Sequence, residues 1–151
     1  MSTEKHISED RVAVNVALLA IRIIVGIIFM AHGSQKMFGA FDGPGLAKIV
    51  GMLGPVGYLV AIGEFFGGLG LIVGFLSRFS SASIILIMFG AIAIVHGKNG
   101  FFLDKSGFEY CLALIGLNAA ILIAGPGKFA IGRFLPLPKS ARSGRVVIFL
   151  E

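Results

Sequence analysis

Charged residues, cysteines and recognisable cofactor motifs are all scarce in this sequence of 151 residues. Only 14% of the residues are charged, against about a quarter in an average soluble domain, so the composition argues against a soluble globular protein. The single cysteine, Cys111, excludes an internal disulfide and a C-x-x-C dithiol. Because no G-x-G-x-x-G, Walker or zinc-type spacing occurs, the sequence predicts no dinucleotide-binding loop and no metal ligands.

Long apolar segments take up most of the sequence. Hydrophobic residues make up 56% of the chain, and its mean hydropathy is +0.94. The segment "VAVNVALLAIRIIVGIIFMA" (12–31) carries one charge, and at about 1.5 Å per residue it spans a hydrocarbon core of roughly 30 Å. We therefore predict an all-α integral membrane protein, a four-transmembrane-helix bundle forming one domain over 1–132. The expected spans are about 12–32, 54–76, 79–96 and 108–125.

Basic residues predict the orientation of this bundle. Eight Lys and Arg residues lie on the side of the two termini and four on the opposite side, so the positive-inside rule places both termini in the cytoplasm. We expect a multi-pass protein of a bacterial-type inner (plasma) membrane, with a basic cytoplasmic tail at 133–151 along anionic headgroups. The N-terminal "MSTEKHISED" lacks the signal-peptide pattern, so the first helix is expected to remain in the mature protein. The net charge of +5 does not indicate nucleic-acid binding, because the basic residues flank membrane spans.

Three polar residues are predicted to lie deep in the membrane. Arg22 is near the middle of the first span, where a charge costs at least about 2.5 kcal/mol, so it needs a partner. Glu64 and Asn118 each lie about ten residues into their spans, and we expect all three in one layer, with Arg22 paired to Glu64. This layer is either a functional polar site or an ion pair that only fixes helix register, with Asn118 as an interhelical hydrogen-bonding residue.

A second polar layer is predicted at the outer membrane boundary. His32 ends the first span, His96 ends the third and Glu109 opens the fourth, while Gln35 and Lys36 follow His32 within one turn. The two histidines either exchange protons with a bound ligand, or act as helix C-caps before glycine, with haem or metal binding the least favoured alternative. In the loop 33–54, helical spacing of apolar residues predicts an amphipathic lid over this layer whose apolar face meets the membrane; these residues are Leu46, Ile49, Val50 and Leu53.

These segments together resemble the DoxX family of small four-helix membrane proteins. The resemblance covers roughly 14–132 and rests on "IRIIVG", "HGSQKMFG", "GEFFGGLGLIVGFLSRF", "VHGKNGFF" and "FEYCLALIGLNAAILIAGPGKFAI". The family is similar, at superfamily level, to the small subunit of thiosulfate:quinone oxidoreductase, and its members are described as membrane oxidoreductases. The family pattern falls on the following residues: Arg22, His32, Gly33, Gln35, Lys36, Gly39, Glu64, Gly68, Gly74, Arg78, His96, Glu109, Tyr110, Gly125 and Pro126. The segment 135–151 has no counterpart in that pattern.

The residues and the resemblance together predict a quinone-binding or quinone-linked oxidoreductase component. The expected catalytic residues are His32, His96 and Glu64; the expected cofactor-binding residues are Arg22, Gln35, Lys36, Glu109 and Asn118. Quinone is the expected cofactor, haem a less favoured one, and electrons must come from a redox partner protein or a bound cofactor because the chain has no dithiol. Membrane lipids and a second copy of the chain are further expected partners. The alternatives are a non-catalytic scaffold, assembly factor or cargo-binding module, and a small transporter that uses Arg22 and Glu64.

Overall fold

The computed structural model describes residues 2–134, and this part of the chain is helical without any strand. Three helical stretches are long and apolar enough to cross a membrane, namely Glu9–Phe38, Val56–Val73 and Ser77–Asn99. The predicted all-α membrane architecture is thus confirmed. Of the tail predicted at 133–151, all but the first two residues lie outside the described residues. The α-helices are α1 (Ser2–Phe38), α2 (Gly45–Leu53), α3 (Val56–Val73), α4 (Ser77–Ala91) and α5 (Glu109–Ala124).

The long helices form an antiparallel bundle whose two ends differ. Helices α1 and α4 end at one end of the bundle, which we call the upper end. Helices α3 and α5 end at the opposite end, which we call the lower end. The last helix, α5, has 16 residues and is therefore about 24 Å long, shorter than the hydrocarbon core. Between the ends lies an apolar core from α1, α3, α4 and α5, comprising Val25, Phe29, Leu71, Ile84, Met88, Cys111, Leu114 and Ile121.

The first helix continues past the predicted end of its span. All of "HGSQKMF" is helical, and α1 stops only at Phe38, before Gly39 with a left-handed φ of 69°. The Gly39 N–H donates to the Gln35 carbonyl at 3.2 Å, as in a glycine-terminated helix. The C-cap interpretation of the two His-Gly pairs is therefore wrong, because Gly33 is inside the helix and Gly97 has a right-handed φ of −59°.

Glycines bring α1 and α3 into close contact. A Cβ atom on Gly33 would lie 2.5 Å from the Phe65 Cα atom, and one on Gly68 would lie 2.5 Å from the Met30 nitrogen. Only glycine allows backbones to approach this closely. This contact places the last two turns of α1 directly against the first half of α3.

The amphipathic helix predicted in the loop is present as α2, but its apolar face points inward. Ile49 is buried, and a Cβ atom on Gly57 of α3 would lie 3.0 Å from both the Ile49 oxygen and the Val50 Cα atom. Lys48 and Met52, on the opposite face, are exposed. The expectation that this face meets the membrane is wrong, because the start of α3 lies close enough to cover it.

A turn after α5 closes the lower end of the bundle. The Lys128 N–H donates to the Asn15 side-chain oxygen at 2.7 Å, and the Gly132 N–H donates to the Gly74 carbonyl at 3.1 Å. We call the segment 125–132 the end plug. Its contacts tie the chain after α5 to both α1 and the end of α3.

Candidate functional site

A buried ion pair joins the last turn of α1 to the middle of α3. The Lys36 ammonium donates a hydrogen bond to Glu64 Oε2, and only 21% of the Lys36 side chain and 4% of the Glu64 side chain are exposed. The pair exists because α1 remains helical as far as Phe38 and because Gly33 lets it pass close to α3. Two opposite charges in an apolar bundle are tolerated only when paired in this way.

His32 belongs to the same site. It lies one turn before Lys36 on α1, and its side chain is exposed. Gln35 lies beside them but is covered by the following loop, since a Cβ atom on Gly43 would be 2.6 Å from the Gln35 Cβ atom. The structure therefore brings His32, Lys36 and Glu64 together, with Gln35 at their edge.

Aromatic rings flank this polar group. Phe38 and Phe65 meet edge to face with ring centroids 5.4 Å apart, and Phe65 meets Phe66 in the same way at 5.2 Å. Phe38 is 66% exposed, so its ring offers an open apolar surface next to Lys36. Phe38 follows Lys36 by two residues and Phe65 follows Glu64 directly, so the two rings lie next to the ion pair. We call His32, Lys36 and Glu64, with Phe38 and Phe65, the upper site.

The predicted pairing of Arg22 with Glu64 is wrong. Arg22 is fully buried, but its guanidinium donates to backbone carbonyls of Leu71 at 2.9 Å, Pro126 at 2.6 Å and Phe129 at 3.0 Å. On α3, Leu71 lies about 10 Å along the helix axis from Glu64. Arg22 is therefore satisfied by backbone carbonyls instead of a carboxylate. Some are left open at the end of α3, where the helix dipole is negative, and the others lie in the end plug.

Arg78 binds the lower end of the bundle in the same manner. Its guanidinium donates to the Leu122 carbonyl at 2.8 Å and to the Ile123 carbonyl at 3.3 Å, in the last turn of α5. The lower end therefore holds two arginines that satisfy helix-terminal carbonyls, one for α3 and one for α5. Both serve to hold helix ends together rather than to form part of the upper site.

His96 and Glu109 lie in a separate neighbourhood and stabilise the loop between α4 and α5. His96 Nδ1 is 2.8 Å from the Ser106 carbonyl, and Glu109 Oε1 accepts a hydrogen bond from the Leu103 N–H at 2.6 Å. Ile87 of α4 faces Gly63, the neighbour of Glu64. His96 comes nine residues after Ile87 and therefore lies about 13 Å further along the helix axis. The expected single layer of two histidines is wrong, because α4 extends through a π-helical turn, Ile92–His96, beyond the level of the upper site.

Asn118 is fully buried on α5, and its side-chain nitrogen donates to the Leu114 carbonyl at 2.8 Å. Its neighbours on the same helix face are Leu114 and Ile121, both part of the apolar core. It does not share a layer with Glu64, which bonds to Lys36 at the upper site. In the part of the chain that the structure describes, no group of three or more His, Cys, Asp or Glu residues could hold a metal ion.

Fold and site together define a helical membrane protein with a buried ion pair near one end of its bundle. The chain belongs to the DoxX family, whose sequence profile matches residues 17–97, just over half of the chain. It is 29% identical over 106 residues to the "Putative oxidoreductase CatD" of Bacillus subtilis (strain 168), covering 70% of this chain and 78% of that protein. It is also 29% identical over 125 residues to the "Inner membrane protein YqjF" of Escherichia coli (strain K12), covering 80% and 93%. No solved structure matches the chain.

The sequence predicted His32, Lys36 and Glu64 as site residues, but it did not predict that Lys36 is the partner of Glu64. It also missed Phe38 and Phe65 as the flanking rings. The available signal was the sequence "SQKMF" after Gly33, which has no proline and can continue the helix. Extending α1 through this stretch would have placed Lys36 on a helix beside α3 instead of in a loop.

Proposed function

We propose that this protein is a quinone-binding component of a membrane redox system and that the quinone head group binds at the upper site. The observation that carries the proposal is the buried pair of Lys36 and Glu64 beside an exposed imidazole at the edge of an aromatic cluster. An ion pair this deep is costly to keep for register alone, and ionisable groups within a membrane bundle are functional by default. The name of the relative CatD, which includes oxidoreductase, supports the same class of activity.

The residues of the upper site fit a flat ligand with two carbonyl oxygens. The Lys36 ammonium carries three N–H donors, of which Glu64 takes one, so it can donate another to a ligand oxygen. Glu64 fixes the position of that ammonium. The exposed ring of Phe38 and the partly buried ring of Phe65 provide the apolar surface against which a flat ring packs.

His32 and Glu64 move the protons in this proposal. A bound quinone supplies two-electron, two-proton redox chemistry, and the electrons come from a partner protein because this chain has one cysteine and no dithiol. Glu64, which is buried, holds or releases a proton next to the ligand. His32, which is exposed one turn from Lys36, exchanges that proton with the aqueous side.

We place this component in the inner membrane, with both termini in the cytoplasm and the upper site at the opposite face. The excess of basic residues on the terminal side supports that orientation. The relative YqjF, named an inner membrane protein, supports the location. In this arrangement protons leave or enter the upper site from outside the cytoplasm.

Ligand binding by the full chain in nanodiscs tests the proposal. We expect a short-chain ubiquinone or menaquinone analogue to raise the thermal unfolding temperature of the wild type. The double variant Lys36→Met/Glu64→Gln removes both charges together and so avoids leaving one buried charge unpaired. We expect this variant to stay folded and to lose the shift. Ser83→Ala, at a half-buried position of α4 outside the upper site, is the control and keeps the shift.

Lipid extraction and mass spectrometry of the same samples provide a second measurement. Quinone that copurifies with the wild type and is absent from the double variant supports the proposal. Equal quinone content and equal thermal shifts in both proteins would overturn it. That result favours the non-catalytic module, in which Lys36 and Glu64 only fix the packing of α1 on α3.

A further inference from the structure

Three buried oxygen atoms in the lower half of the bundle have no hydrogen-bond partner within residues 2–134. They are Ser77 Oγ and Ser81 Oγ on α4 and Asn118 Oδ1 on α5. All three residues are 0% exposed. The Asn118 amide nitrogen is bound to the Leu114 carbonyl, which leaves the amide oxygen without a donor.

The three residues lie on the faces that α4 and α5 turn toward the core. Arg78, in the first turn of α4, binds carbonyls in the last turn of α5, so the two helices are antiparallel neighbours. Counting along the buried residues of each helix from that end, Ser77 is at the level of Ile121 and Ser81 at the level of Asn118. The next layer toward the upper end is apolar and contains Ile84 and Leu114.

Unpartnered buried oxygens cost free energy, and proteins usually satisfy such groups with an internal water that makes about three hydrogen bonds. We propose that Ser77, Ser81 and Asn118 form an internal water-binding site between α4 and α5. The site accepts ordered water, with Asn118 Oδ1 as an acceptor and the two serine hydroxyls as donors or acceptors. The apolar core layer separates it from the upper site.

X-ray radiolytic labelling of the full chain tests this site, because hydroxyl radicals made from ordered internal water oxidise the side chains next to it. We expect oxidation of Leu114 and Ile121, which flank Asn118 on the core face. Leu117, next to Asn118 on the outer face of the same helix, is the internal reference and stays unlabelled. In the variant Ser81→Ala/Asn118→Leu we expect the oxidation of Ile121 to fall to the level of Leu117, while Ser83→Ala leaves it unchanged.

Thermal unfolding of the two single variants and the double variant completes the test. A shared water couples Ser81 and Asn118, so we expect the fall in unfolding temperature of the double variant to be smaller than the sum of the single falls. Coupling without radiolytic labelling would mean a direct hydrogen bond between the side chains and would overturn the proposal. Labelling without coupling would show water that does not bridge them and would also overturn it. If neither occurs, the atoms are unpaired and the site does not exist.

Discussion

At the scale of single residues, Lys36 and Glu64 depend on each other for their burial. Replacing Lys36 alone by Met leaves the Glu64 carboxylate 4% exposed and without its cation, which should cost about 3–5 kcal/mol of stability. The double variant Lys36→Met/Glu64→Gln should regain most of that loss. Denaturant or thermal unfolding of the three proteins in the same detergent measures the difference. Equal losses in the single and double variants would contradict a paired site.

The role of His96 differs from that of His32. Because His96 holds the Ser106 carbonyl, His96→Ala should cost about 0.5–1.5 kcal/mol and loosen the loop 97–108. Limited proteolysis in that loop should become faster, and quinone binding should remain. His32→Ala is the comparison: it should leave the loop resistant and slow proton exchange at the upper site. Loss of quinone binding in His96→Ala would contradict the separation of the two histidines.

The sequence predicted which residues are polar within the membrane but assigned their partners wrongly. Hydropathy gives the approximate depth of Arg22 and Glu64, and depth alone made them look like a pair. The real partner of Glu64 depends on the rotation of α1 and α3. The acceptors of Arg22 are carbonyls at the end of α3 and in the end plug, which carry no side-chain signal. A backbone acceptor cannot be recognised from residue type, so Arg22 could not have been placed correctly from the sequence.

At the scale of secondary-structure elements, glycines decide how closely α1 packs on α3. Gly33→Ala should cost about 1–3 kcal/mol because its Cβ atom would lie 2.5 Å from the Phe65 Cα atom, and backbone cannot move aside easily. Gly116→Ala is the matched control on α5, where no atom lies within 4 Å of the added carbon. This variant should be neutral or up to about 1 kcal/mol more stable.

Unfolding of both glycine variants in detergent gives the comparison, and quinone binding gives a second readout. Gly33→Ala should weaken binding as well, since pushing α1 from α3 moves Lys36 away from Glu64. A stability loss of the same size at Gly116 would show that glycine itself, and not close packing, sets the effect.

The helix α2 shows what periodicity can and cannot predict. Apolar residues at i, i+3, i+4 and i+7 correctly predicted a helix within 45–53. The same periodicity is expected whether the apolar face meets lipid or meets protein. Only the position of Gly57, at the start of α3, shows that protein covers Ile49.

At the scale of the whole molecule, the crossing of α5 determines where the C-terminal part lies. A helix of about 24 Å is shorter than the hydrocarbon core, so the membrane must thin locally or polar flanks must reach the interface. If α5 crosses, alkaline phosphatase fused after residue 104 should be active in the periplasm, and green fluorescent protein fused after residue 132 should fluoresce in the cytoplasm. Phosphatase activity from both fusions would contradict the crossing, and activity from the fusion after residue 132 alone would contradict the predicted orientation.

Composition and the long apolar segments were enough to predict the class of protein. A chain with few charges and high hydropathy is expected to form a helical membrane bundle. Within lipid every backbone N–H and C=O group needs a hydrogen bond, and helices provide these bonds internally. The end plug was not predicted. Its residues are bound through backbone groups to Asn15, Arg22 and Gly74, and such contacts form only after the whole bundle has assembled.

The contact of Arg22 with Pro126 has a consequence for how the chain is made. These residues are 104 positions apart, so at about 5–20 residues per second the ribosome adds Pro126 roughly 5–20 s after Arg22. Throughout that interval the guanidinium lacks two of its final acceptors, the carbonyls of Pro126 and Phe129. A nascent chain that terminates before Pro126 never acquires them. The arginine that joins the end of α3 to the end plug in the finished bundle is therefore only partly hydrogen-bonded in a chain that stops before the end plug.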